Sequence, residues 1–211
     1  MGWTRSRDKK QRILEAADRC LREQGLNRVN IREVARQAGV SLGSVHYYFP
    51  SKQHILEELY QRFVQRMSAT MTTDTRARDP ARRVSDFLED YFRELSRDPF
   101  LCQIFADLWD RAAQDDALRE LLGSHYRAFA AWLTEQIEAG RAAGCYRVAS
   151  PKDAALAIIA LIDGLKIQQL LLQNKRYSRQ QRHACMDFIS QAMGTSPDPR
   201  PRKKCRNAKP S

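Results

Sequence analysis

Residues Asn30 to Lys52, NIREVARQAGVSLGSVHYYFPSK, restrict what this chain can fold into more than any other segment. Asn30 and Glu33 stand at the N-cap and third-position spacing of a capping box, which predicts a helix from Ile31. Ile31, Val34, Ala35 and Ala38 fall on one face of that helix, with Arg32 and Arg36 elsewhere. Gly39 follows at once, and glycine most readily takes the left-handed conformation that ends a helix. Ser41 is placed to cap a second helix ending at Tyr47 or Tyr48, anchored inward by Val45, while Val40 fills the space between the two. Ala35 is small where the helices would cross. The spacing is that of a helix-turn-helix. A helical hairpin inside a core is the alternative. Against it, Ser41, Gly43, Ser44, His46 and Tyr47 give the second helix few apolar anchors and many groups suited to a DNA groove.

Charge is distributed to match. The net charge of +11 divides into +6 over residues 1–52, zero over 53–195 and +5 over 196–211. A basic excess on the helix-turn-helix segment favours phosphate there, and the neutral body has different business. The expected domains follow these limits: a DNA-binding domain at 1–52, a helical ligand-binding and dimerisation domain at 53–195, and a disordered basic tail at 196–211. That tail can add salt-sensitive, nonspecific DNA affinity or serve as a solubilising extension. The longest uninterrupted apolar run, Ala154 to Ile162, is too short to span a bilayer, and no signal-peptide core follows the basic residues near the N-terminus. A cytoplasmic protein with no membrane partner is expected. Five widely spaced cysteines without a C-x-x-C pair read as reduced thiols.

Almost every segment of the chain reads as helix. Expected elements are a first helix from Arg7 to Gln24 with Ile13, Ala17, Cys20 and Leu21 on its inner face, and a fourth from Ser51 to Met71 burying Ile55, Leu59, Phe63 and Met67. Asp79-Pro80 and Asp98-Pro99 each place a carboxylate before a proline and predict helix starts. A long helix is expected from Asp116 to Ala143, another from Ser150-Pro151 to Gln173, and a last one capped by Ser178 and ending at Met193. Metal-ligand spacings, a glycine-rich phosphate loop and a nucleophile triad do not occur, so a helical enzyme lacks a basis and no cofactor or metal is expected.

Residues Ile13 to Leu59 resemble the DNA-binding domain of the TetR family of transcriptional regulators. The family signature A-G-V-S-x-G-x-x-x-x-x-F-x-x-K stands here as Ala38, Gly39, Val40, Ser41, Gly43, Phe49 and Lys52. Asn30 replaces the usual capping Thr, and His46 the usual first aromatic. The resemblance implies an all-α fold: a three-helix helix-turn-helix domain followed by six helices that bind an effector and pair two subunits. It also implies a sequence-specific regulator, expected to be a repressor released from a palindromic operator by a small molecule. The segment Ala160 to Leu165, with Gln168, Gln169 and Leu170, resembles the C-terminal domains of the betaine-pathway repressors within that family.

On that reading Leu42 can touch thymine methyls, Ser44 can hydrogen-bond base edges, and Gly43 lets the backbone approach DNA. The family implies a base contact for Arg32 and backbone contacts for Tyr47 and Tyr48. Lys52 and the start of its helix can hold one phosphate and Asn30 another. His46 can contact DNA or simply pack. In the body, Phe87, Tyr91, Phe105, Trp109, Tyr126 and Phe129 can line a pocket, with Asp163 and Gln169 on an otherwise apolar helix. Asp163 could hold a cationic ligand caged by the aromatics, or the aromatics could be core and Asp163 could pair with an arginine or face solvent. Ile158, Leu161, Leu165, Gln168 and Leu172, then Cys185, Phe188 and Ala192, recur at helical spacing and form the expected dimer surface, a four-helix bundle across a two-fold axis.

Overall fold

The apolar spacing produces helices throughout. The computed structural model describes residues 2–26, 28–73, 79–173 and 175–194. Among these lie α1 (Gly2–Gln24), α2 (Ile31–Ala38), α3 (Leu42–Tyr48), α4 (Lys52–Thr73), α5 (Arg83–Arg97), α6 (Phe100–Ala112), α7 (Asp116–Ala142), α8 (Pro151–Leu172) and α9 (Lys175–Ala192), with no strand among the described residues. The tail expected at 196–211 lies outside them.

α1, α2 and α3 form a compact head. Ile13, Ala17, Cys20 and Leu21 are buried as their spacing demands, and α1 packs chiefly on α2. Each fully buried aliphatic side chain there contributes about 1.5–3 kcal/mol. Gly39 takes φ 61°, and its N–H returns to the last turn of α2. Arg12 crosses from α1 to donate to the Ala38 carbonyl at 2.7 Å, which fixes the turn against the first helix. α4 leaves the head and packs against α5 and α6 in the body, where α7 with α8 is the most extensive helix pair.

Four element starts differ from expectation. The chain makes a turn after Asp79, and α5 begins only at Arg83. The Asp98 carboxylate does not cap α6; Arg22 of α1 takes it in a two-pronged ion pair and lies over the Phe100 ring. α9 begins at Lys175, placing Ser178 inside the helix rather than at its cap. α1 also starts earlier, at Gly2. By length and composition α8 is apolar enough to cross a bilayer, which its uninterrupted run Ala154 to Ile162 alone is not. It carries Asp163 and Lys166 at its middle, however, and packs against α6, α7 and α9. None of the four described cysteines, Cys20, Cys102, Cys145 and Cys185, forms a disulfide. Burial pushes the Cys102 thiol up to about 11, which keeps it protonated and unreactive.

Candidate nucleic-acid interface and buried pocket

The head exposes one face of α3. Ser41 caps it by accepting from the Ser44 N–H at 3.2 Å, and Val45 and Phe49 are buried beneath it. With both anchors at the inner face, Ser41, Leu42, Gly43, His46 and Tyr47 are exposed, Tyr47 at 80%, while Ser44 and Tyr48 are half-buried. Tyr47 and Tyr48 meet edge to face with ring centroids 5.0 Å apart. His46 therefore faces solvent and does not pack. α2 begins beside this surface. Asn30 caps it by accepting from the Arg32 N–H at 2.6 Å, whereas Glu33 pairs with Arg36 and Gln37 instead of completing the capping box. Arg36 holds the Glu33 carboxyl well down, at about 2. The Arg32 guanidinium is exposed and makes no ion pair among the described residues.

Lys52 is committed differently from its expected role. Its ammonium donates to the Leu26 carbonyl at 2.6 Å, tying the start of α4 to the loop between α1 and α2. The ammonium carries three donors, so bracing the head does not exhaust its capacity to meet an anion. Lys10 strengthens the same corner through Glu58 at 2.8 Å, with its ammonium 5.7 Å from the Phe49 ring centroid.

A cavity of about 140 Å³ lies in the body. α4 supplies Tyr60, Phe63, Val64, Met67, Ser68 and Met71; α5 and α6 supply Tyr91 and Phe105. α7 adds His125, Tyr126, Ala128 and Phe129, and α8 adds Ile159, Ile162, Asp163 and Lys166. Of the expected pocket residues, Tyr91, Phe105, Tyr126, Phe129 and Asp163 are thus brought together. Phe87 is not among them: at 2% exposure it is core, packed at a tilt against Phe129 and Trp132. Trp109 flanks the cavity without lining it. Gln169 points elsewhere and donates to the Leu95 carbonyl at 3.2 Å.

Lys166 dominates the polar end. Its side chain is buried, and its ammonium donates to Asp163 Oδ1 at 2.9 Å. The Tyr126 hydroxyl donates to Asp163 Oδ2 at 2.8 Å. Asp163 therefore pairs with a lysine of its own helix, not with an arginine or with solvent. Burial works against the lysine charge, but the facing Tyr91 and Asp163 more than offset it and keep the ammonium above the ordinary lysine range. Burial raises Tyr60 to about 12 and lowers His125, whose Nδ1 lies 3.2 Å from the Tyr60 hydroxyl. The polar end is consequently neutral overall: one ion pair, un-ionised phenols and an imidazole that favours its uncharged form. The lysine was readable in the sequence, because Asp163 and Lys166 stand at the i,i+3 spacing of helical ion pairs. The α4 residues gave only an ordinary core pattern.

The expected dimer residues divide between two faces. Ile158 (3% exposed) and Cys185 (7%) are turned into the subunit, so neither can reach a partner. Leu161 and Leu165 are half-buried, while Gln168, Leu172, Phe188 and Ala192 are exposed. Leu156, Ile167 and Leu171 join them on the outer surface of α8 and α9. Apart from Leu42 on α3, the large exposed aliphatic side chains among the described residues therefore lie on α8.

Residues 13–59 match the family described as bacterial regulatory proteins, tetR family, and residues 80–194 match the BetI-type transcriptional repressor, C-terminal domain. The chain is 30% identical to an uncharacterized HTH-type transcriptional regulator of Xanthobacter autotrophicus, over 61% of this chain and 65% of that protein. It is also 30% identical to the HTH-type transcriptional repressor KstR of Rhodococcus jostii, over 61% of each. The matches thus span less than two thirds of those relatives' lengths. A regulator from Saccharomonospora viridis, solved in complex with choline, superposes with a TM-score of 0.71 at 28% identity, over 87% of this chain and 96% of that one.

Proposed function

The chain belongs to the TetR family of bacterial regulatory proteins and carries its BetI-type C-terminal domain, and from that premise we propose that it is a dimeric repressor released from a palindromic operator by a small molecule entering the cavity beside α4. Residues 1–52 act as the reading head, and the helices behind them bind the effector and pair the subunits. The protein works in the cytoplasm, without a membrane partner.

The observation that carries this reading is the path of α4. Its first residue, Lys52, is bonded into the head, and from about two to five turns further on the same helix lines the cavity with Tyr60, Phe63, Val64, Met67 and Met71. α6 reinforces the link, since it carries Phe105 on the cavity and Arg111, which donates to Glu57 of α4 at 2.6 Å. An effector that fits one position of α4 better than another shifts the head by its difference in affinity for the two states. In a dimer, that movement changes the separation of two reading helices, whose half-sites lie about one helical turn of DNA apart.

Competition between a palindromic operator and random DNA at fixed salt tests the reading. The operator should win by a wide margin, and equal competition would remove sequence-specific regulation. In the same assay Arg32→Ala is expected to lose roughly 1–3 kcal/mol of discrimination at one base position while keeping its nonspecific affinity. The dimer rests on the outer face of α8 and α9, where Leu171 is 72% and Phe188 59% exposed. Such a patch on a lone subunit calls for a partner. Phe188→Asp is expected to shift light scattering from twice the chain mass to 24.4 kDa and to weaken operator binding with it. A variant that remains dimeric would place the interface elsewhere.

A further inference from the structure

A quaternary ammonium ligand needs two things from a buried site: a box of aromatic faces and a counter-charge. Both exist beside this cavity, and both are already used. The Lys166 ammonium lies 4.0 Å from the Phe105 ring centroid and 5.6 Å from those of Tyr91 and Trp109. The same ammonium takes one oxygen of Asp163, and the Tyr126 hydroxyl takes the other. A second cation brought to Asp163 would sit within a few ångströms of a charge that cannot leave, in surroundings that screen poorly. Apart from Ser68 and the Tyr60–His125 pair, the remaining lining, including Phe63, Val64, Met67, Phe129, Ile159 and Ile162, is apolar.

We propose that Lys166 is a tethered cation that fills the pocket's aromatic box, so that the cavity rejects quaternary ammonium compounds and takes an uncharged, largely apolar molecule. The apolar body of that molecule lies along α4. Its single hydroxyl or carbonyl head meets the Tyr60–His125 pair, whose hydroxyl and ring nitrogen can donate or accept. This inference rests on reading the cavity as the effector site. It assigns Lys166 the role of setting specificity by occupying the place a ligand's cation would take.

The test uses choline and its uncharged isostere 3,3-dimethyl-1-butanol, in which carbon replaces the charged nitrogen. Each is titrated into the full chain by calorimetry, with intrinsic tryptophan fluorescence as a second readout and no DNA present. The wild type is expected to bind the isostere at least about tenfold more tightly than choline. Lys166→Ala vacates the box and frees Asp163, and should improve choline affinity about tenfold or more, reversing the preference. A wild type that prefers choline overturns the inference and leaves the effector-site reading intact, as does a folded Lys166→Ala that gains no choline affinity. Binding of neither compound to either form overturns the effector-site reading and the inference with it. The wild-type comparison needs no variant and decides the matter alone if Lys166→Ala does not fold.

Discussion

Asp163→Ala is expected to destabilise the protein by about 3–5 kcal/mol at neutral pH, because it strands a buried ammonium. Lys166 is 4% exposed, and its carboxylate partner is the one full negative charge it touches. The rings of Phe105, Tyr91 and Trp109 would still attract it, each by an amount well below that of a paired carboxylate. The lysine can also escape by losing its proton, which at pH 7 costs about 5 kcal/mol for a group of ordinary pKa and sets the upper limit of the penalty. The sign of the pH dependence follows. In the wild type the folded value lies above the ordinary 10.5, so the contribution of the pair is complete below 10.5 and fades only as pH rises through the higher folded value. In Asp163→Ala, burial is no longer offset by the carboxylate and the folded value falls below 10.5. The deficit is then largest at low and neutral pH and shrinks as pH approaches 10.5, where the unfolded lysine also gives up its proton. Urea unfolding at pH 7 and pH 10 reads this directly. A loss under about 1 kcal/mol, or one that does not change with pH, would mean that the ring faces alone hold the charge.

The same pair shows where sequence reading reaches its limit. Caps and turns are set by neighbours within four residues, so Asn30, Gly39 and Ser41 could be assigned their places from spacing alone, and each holds that place in the fold. Asp98 was assigned a cap by the same rule and does not make one. Arg22, 76 residues away, offers it two charge-assisted bonds against the weaker bonds of a helix start. Long-range competition of this kind leaves no local trace. The pocket follows the same logic. Phe63 and Met67 were expected to be buried and are, but which face of α4 fronts a cavity depends on how α7 and α8 pack against it.

α8 defeats periodicity for another reason. Hydrophobic spacing locates a buried stripe only when the opposite face is polar. Here Leu156, Ile167 and Leu171 outside are as apolar as Ile158, Ile159 and Ile162 inside, and one helix serves both a core and an exposed surface. The stripe drawn from sequence therefore ran obliquely between the two, collecting Ile158 from the interior and Leu172 from the exterior. The one strong polar marker on the inner face was Lys166, at which burial would ordinarily be least expected. Its i,i+3 partner Asp163 is the sequence signal that could have fixed the inward face.

Phe49→Ala is expected to cost about 3–5 kcal/mol and to abolish operator binding, the second large effect in this chain. The ring is 1% exposed at the end of α3, where its N–H donates to the Val45 carbonyl at 2.8 Å and Lys10 lies over its face. α3 has only seven residues and one other buried side chain, Val45, so Phe49 supplies much of what seats it. A helix this short holds no orientation by itself. Without the ring, the Ser41 end loses its fixed angle to the DNA even where the chain stays folded. The loss in operator affinity should therefore exceed what the unfolded fraction accounts for. Phe49→Leu, which keeps an apolar filler, should recover most of the stability and part of the binding. Thermal unfolding paired with operator titration separates the two effects. If Phe49→Ala weakens operator binding only in proportion to its unfolded fraction, α3 is held by contacts other than this ring.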